Sequence, residues 1–230
     1  MQEEPRRLID VLRHPRLLWK SLREYLGLSR KRRLQPITDV KGLQQFINTR
    51  ASFVAQTSLY GYLRTRAGMR YPELFNNDPF VVSINIAKWQ IWLACLSDLC
   101  IYAGGLLAQE SRAAPQDISQ LMQGLLDEIL EETGIPPDAG KDFAHSREQV
   151  RQRLAKCDWK SVRDDETPFV ESPQALVQWA PVMEELKQLD EEIVKNSVRF
   201  RWQEIRRDLR RTLQPDAVRG LSQLGGNQAL

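Results

Sequence analysis

Ile91-Trp-Leu-Ala-Cys-Leu-Ser-Asp-Leu-Cys-Ile-Tyr-Ala-Gly-Gly-Leu-Leu-Ala108 is the most apolar stretch of the chain, and its reading decides the fold. Eighteen residues with one charge reach the length of a membrane span. Against a span stand Lys88 and Gln90 at one end, Asp98 near the middle, the Gly104-Gly105 pair and the lack of a second such stretch. An acid at the centre of a lone span costs about 2.5–3.5 kcal/mol on insertion scales. The reading adopted is a core helix over about 87–108, apolar on all sides because other helices surround it.

Working outward, helical signals continue in both directions. Upstream, Phe80–Ile86 is rich in β-branched residues, but no neighbouring strand pattern can pair with it, so helix is expected. Met69–Pro79 is dense in turn formers yet holds Tyr71, Leu74 and Phe75, and reads as an ordered loop that packs down. Before it, Thr38 or Asp39 can cap a helix that carries Phe46, Phe53, Tyr60 and Leu63 and stops at Gly68. Downstream, Ile118, Leu121, Leu125 and Ile129 mark a helix closed by Gly134-Ile135-Pro136. Its last turns carry Asp127, Glu128, Glu131 and Glu132, the unfavourable end for acids unless a cation faces them. A short helix follows over about 142–157, with Phe143, Val150 and Leu154, and then a polar, acidic segment, 158–171, expected at the surface.

Ser172-Pro173 suits a helix start. From Pro181 to Leu213 no breaker occurs, so one helix about 50 Å long is expected. Its apolar residues run Val182, Leu186, Leu189, Ile193 and then step by five to Val198, Trp202, Ile205 and Leu209. This predicts a buried face that rotates midway, with the first half lining the core. The same helix is a candidate self-association surface. The predicted fold is all-α: an irregular bundle of six to eight helices around the apolar central helix. A single helical domain, 36–214, is preceded by an arm, 1–35, and followed by a disordered tail, 215–230.

The net charge of +3 conceals segregation. Residues 1–35 hold ten Lys and Arg against four acids, for +6, and 195–219 hold eight bases against three acids, for +5. The remainder of a chain that totals +3 is therefore −8. In the arm, Leu18, Trp19, Leu22 and Leu26 form a stripe beside Arg16, Lys20 and Arg23, followed by the basic knot Arg30, Lys31, Arg32 and Arg33. Trp202, Arg206 and Arg210 are the counterparts in the C-terminal helix. Tryptophan beside Lys or Arg on an amphipathic helix suits a membrane interface, a protein hot spot or base stacking.

Patterns that would specify a reaction are missing from the sequence. There is no G-x-G-x-x-G, P-loop or G-x-S-x-G, and the two histidines, His14 and His145, lie in highly charged surroundings. Cys95 and Cys100 sit about 140° apart on a helix and cannot share a tetrahedral ion unaided. Asp142 and His145 have helical ligand spacing, but as a single loose match. No cofactor and no metal site is expected. Asp98 shares a face with Ile91, Ala94, Ile101 and Gly105 and is expected to be buried and paired, with Arg64, Arg66, Tyr60 or Tyr62 as candidate partners.

These features favour a non-enzymatic adaptor, assembly or scaffold protein that docks through its basic ends on an anionic membrane surface or an acidic protein. Three cysteines and no signal peptide suggest a cytoplasmic setting, with peripheral association at the inner face of a membrane. Nucleic-acid binding is an alternative, weakened by Glu204, Asp208 and the acidic body. An enzyme with an interhelical pocket around Asp98, Tyr60, Tyr102 and Arg64 is another. A fourth possibility is that the basic ends contact only the protein's own acidic middle.

Overall fold

A computed structural model describes residues 35–110 and 113–218. The chain divides into two compact units, 1–35 and 36–230, and the second is described by itself. The arm residues Arg16, Trp19, Lys20, Arg23, Arg30, Lys31, Arg32 and Arg33 lie outside the described residues, as do residues 219–230 of the expected tail.

Six α-helices and one 3-10 helix are found among the described residues: α1 (Val40–Ala67), the 3-10 helix (Gly68–Asn76), α2 (Asp78–Glu110), α3 (Pro115–Thr133), α4 (Phe143–Ala155), α5 (Glu171–Trp179) and α6 (Glu184–Thr212). Their ends follow from local chemistry. Asp39 accepts from the Gly42 amide at 2.6 Å to start α1, and Gly68, at φ 53°, ends it. The Asn77 side chain accepts from the Phe80 amide at the head of α2, and Gly134, at φ 66°, closes α3. The segment read as an ordered loop is the 3-10 helix, held by edge-on contacts of Phe75 with Tyr71 and with Phe80.

The core helix starts earlier than its most apolar run and spans 33 residues as α2, which absorbs Phe80–Ile86. It is the one described helix long and apolar enough to cross a membrane, and 94% of its apolar window is buried inside the protein. α1, α3, α4 and α5 all pack against it. The glycine pair serves this packing. A Cβ on Gly104 would stand 2.3 Å from the Trp159 ring, and one on Gly105 would stand 2.3 Å from Val162. Two bare positions on α2 are thus the seat for the turn after α4.

Three expectations are corrected. The acidic segment 158–171 is not simply surface: Trp159 and Phe169 are buried, and Phe169 stacks on Trp202 at 4.8 Å. In α6, Leu189 and Ile193 do not line the core but are 76% and 73% exposed, while Val194, Val198, Trp202, Ile205 and Leu209 are buried. The five-residue step at 193–198 is a crossing of about 140° between two stripes on opposite sides of the helix. The body also extends past 214: Pro215–Val218 form a further helical turn, with the Val218 side chain fully buried. Beside it, Ile37 and Leu213 make a parallel bridge, in which the Ile37 amide donates to Thr212 and the Gln214 amide donates to Ile37.

Candidate functional site

Asp98 is fully buried on α2, as expected, but none of the partners proposed from the sequence meets it. Arg64 is exposed at the end of α1. Arg66 and Tyr62 both bond Asp190 of α6, and Tyr60 is half-buried against the core without reaching the carboxylate. The partner is Arg153 of α4, whose Nη1 donates to Asp98 Oδ1 at 2.7 Å and to Ser97 Oγ at 2.8 Å, while its Nη2 donates to the Pro168 carbonyl at 3.0 Å. Arg153 also pairs with Glu171 at 3.1 Å.

The rest of the carboxylate is taken by the start of α5. The Glu171 amide donates to Oδ1 at 3.2 Å, and the Ser172 amide and hydroxyl donate to Oδ2 at 2.8 and 2.6 Å. Asp98 therefore does for α5, from a different helix, what an N-cap side chain does locally, and its charge meets the positive end of the helix dipole. Ser172 Oγ in turn accepts from Trp202 Nε1 at 2.9 Å. One chain of hydrogen bonds thus ties α2, α4, α5 and α6. Burial pushes the Asp98 carboxyl above its ordinary range, and Arg153 and Ser172 pull the other way. Four donors fill the four lone-pair positions of a carboxylate, so Asp98 has none left to take a proton from a substrate.

Sequence reasoning missed Arg153 although a signal was present. It lies three residues after Val150 and one before Leu154, on the core-facing edge of α4. A cation within an apolar stripe needs an acid opposite.

Next to this network an open cleft of about 290 Å³ lies between α2, α4 and α5, lined by Gln90, Ser146, Gln149, Glu171, Gln174 and Trp179 among others. Asp98 is not among its lining residues. The nucleophile inventory is quiet as well. Burial raises the thiols of Cys95 and Cys100, the latter to about 12, and that of Cys157 to about 11. No group of three or more His, Cys, Asp or Glu able to hold a metal is found among the described residues.

The C-terminal basic residues proposed for partner binding are largely occupied. Trp202 is 1% exposed and stacked on Phe169, so it offers nothing to a partner. Arg210 pairs with Asp164 at 2.8 Å, Arg206 donates to the Asp164 carbonyl at 2.9 Å, and Tyr102 donates to the Asp164 carboxylate at 2.6 Å. These contacts place Tyr102 against Asp164 rather than in a pocket with Asp98. For Arg206 and Arg210, the contact is with the protein's own acidic segment, while Arg207 and Arg211 remain exposed. The acidic end of α3 is also answered from within. Arg147 donates to the Leu130 and Gly134 carbonyls, and Arg151 pairs with Asp127 at 2.6 Å.

Compared with models of protein families, with curated proteins and with solved structures, the chain matches none.

Proposed function

We propose that the chain is a non-enzymatic helical adaptor that docks through its basic arm, residues 1–35, on an anionic surface, with a membrane as the first surface to test. The observation that carries this reading is the segregation of charge. The arm holds +6 beside an apolar stripe of Leu18, Trp19, Leu22 and Leu26, and each cation near an anionic bilayer contributes about 1 kcal/mol. Two observations in the body support it. The buried carboxylate at the centre of the bundle has its hydrogen-bonding capacity used up by Arg153, Glu171 and Ser172. Arg206 and Arg210 are engaged with Asp164, so the C-terminal charge is partly answered within the body, while the arm is the most basic segment of the sequence. A cytoplasmic protein held peripherally at the inner face of a membrane follows from the same reading.

Flotation with liposomes tests it. The full chain is expected to float with vesicles containing phosphatidylserine and not with neutral ones, and to lose most of this binding when Arg16, Lys20, Arg23 and the basic knot 30–33 are replaced by glutamine. Equal binding to both vesicle types, or binding unchanged by the substitutions, removes the membrane reading.

A further inference from the structure

α6 carries two apolar stripes, and the bundle uses one. Val194, Val198, Trp202, Ile205 and Leu209 face the core. On the opposite side Leu189, Ile193 and Phe200 are 76%, 73% and 71% exposed, with Leu186 half-buried before them. Their spacing, extended through polar residues, is Leu186, Leu189, Ile193, Asn196, Phe200, Gln203 and Arg207: alternate steps of three and four. That is the heptad spacing of a seam by which two helices pack side by side, apolar at Leu186, Leu189, Ile193 and Phe200 and polar at Asn196, Gln203 and Arg207.

Charge along the same helix indicates which partner fits. The half from 184 to 196 holds five acids and two bases, and the half from 197 to 212 holds six bases and two acids. With Asp190, Arg206 and Arg210 engaged inside the body, Glu184, Glu185 and Glu192 stay exposed at one end and Arg207 and Arg211 at the other, so this helix, apolar along one exposed side, complements a reversed copy of itself. We propose that this face of α6 is an interface with a second copy of the chain, the two α6 helices running antiparallel about a two-fold axis near Asn196. The pairing sets Glu185 of one copy beside Arg207 of the other, twice by symmetry, and places Leu189 and Ile193 of each against Phe200 and Gln203 of the other. An isologous contact of this kind closes on itself and gives a dimer. The contact runs from about 186 to 207, about 32 Å of helix. This interface goes beyond the adaptor reading and stands whether or not the arm binds lipid.

Sedimentation velocity on the full chain, from low micromolar to several hundred micromolar, tests the proposal. The expected result is a monomer–dimer equilibrium. Leu189→Glu combined with Ile193→Glu abolishes it while leaving helical content and melting temperature near the parent values, because both side chains are exposed in the monomer. Glu185→Arg or Arg207→Glu alone raises the dissociation constant on the order of tenfold, and the two together recover it. That recovery is specific to the antiparallel register and does not depend on the apolar variant. A chain that is monomeric throughout overturns the proposal, as does a dimer indifferent to the apolar double variant or a charge reversal without recovery. A monomer that needs Leu189 and Ile193 to float with anionic vesicles overturns it too, in favour of a lipid surface on this face.

Discussion

Asp98 shows how one side chain can organise four helices. Its burial was legible from its place on an apolar face, since an acid there has to be matched. Its partner was not, because pairing across the bundle depends on which helix α4 turns inward, and no periodicity on α2 encodes that. The bond to Ser172 was out of reach for the same reason: Ser172-Pro173 reads as a helix start but gives no hint that the capping acid comes from elsewhere. Removing one member of a buried pair leaves the other uncompensated, at a cost of about 3–5 kcal/mol. Asp98→Asn presents an amide to Arg153 and is expected to destabilise the fold on the order of 3 kcal/mol in urea unfolding. A loss below about 1 kcal/mol would mean that Arg153 is solvated well enough not to need the carboxylate.

Among the elements, α2 was the most legible and α6 the least. A run apolar on all sides has one natural place in a helical bundle, and the structure puts α2 there. α6 offers two stripes of similar quality, and a pattern of threes and fours says that a face is apolar without saying which face the core takes. The choice is made by Trp202 and Phe169, which stack beneath the helix. The loop 158–171 was misread because its composition is polar while its packing is decided by two aromatic residues. Its seat on α2 gives a direct test. Alanine favours helix over glycine by about 1 kcal/mol, but the 2.3 Å approaches at Gly104 and Gly105 call for displacement of Trp159 and Val162, and overpacking of this kind costs about 1–3 kcal/mol. Gly105→Ala is therefore expected to lower the melting temperature rather than raise it, and Gly124→Ala, which has open space around it, is the control.

Across the whole molecule, segregated charge is partly answered inside the body. Asp164 holds Tyr102 of α2 and Arg210 of α6 together. Burial opposes its charge, but the hydrogen bonds from Tyr102 and Arg210 outweigh that and hold its carboxyl below the ordinary value of 3.8. A carboxyl lowered in the folded state stabilises the fold above its unfolded value, and that contribution is lost as pH falls through the folded value. The difference in unfolding free energy between the parent chain and Asp164→Asn is expected to be full at neutral pH and to close on acidification below about pH 4. A difference independent of pH would assign Asp164 a role that does not depend on its charge.

The bridge between Ile37 and Leu213 has a mechanical meaning. The segment that leads into α1 and the segment that follows α6 lie side by side here, joined by two amide hydrogen bonds, with the Pro215–Val218 turn packed just beyond. Because the bridge is parallel, tension drawn from the chain before Ile37 and the chain after Leu213 pulls the two segments lengthwise in opposite directions, so once the Pro215–Val218 turn gives way the two bonds bear the load together, in shear, before any helix is pulled. For a body held by an anchor on one side and a load on the other, this short clasp is the fuse, and the helices behind it are loaded only after it has parted.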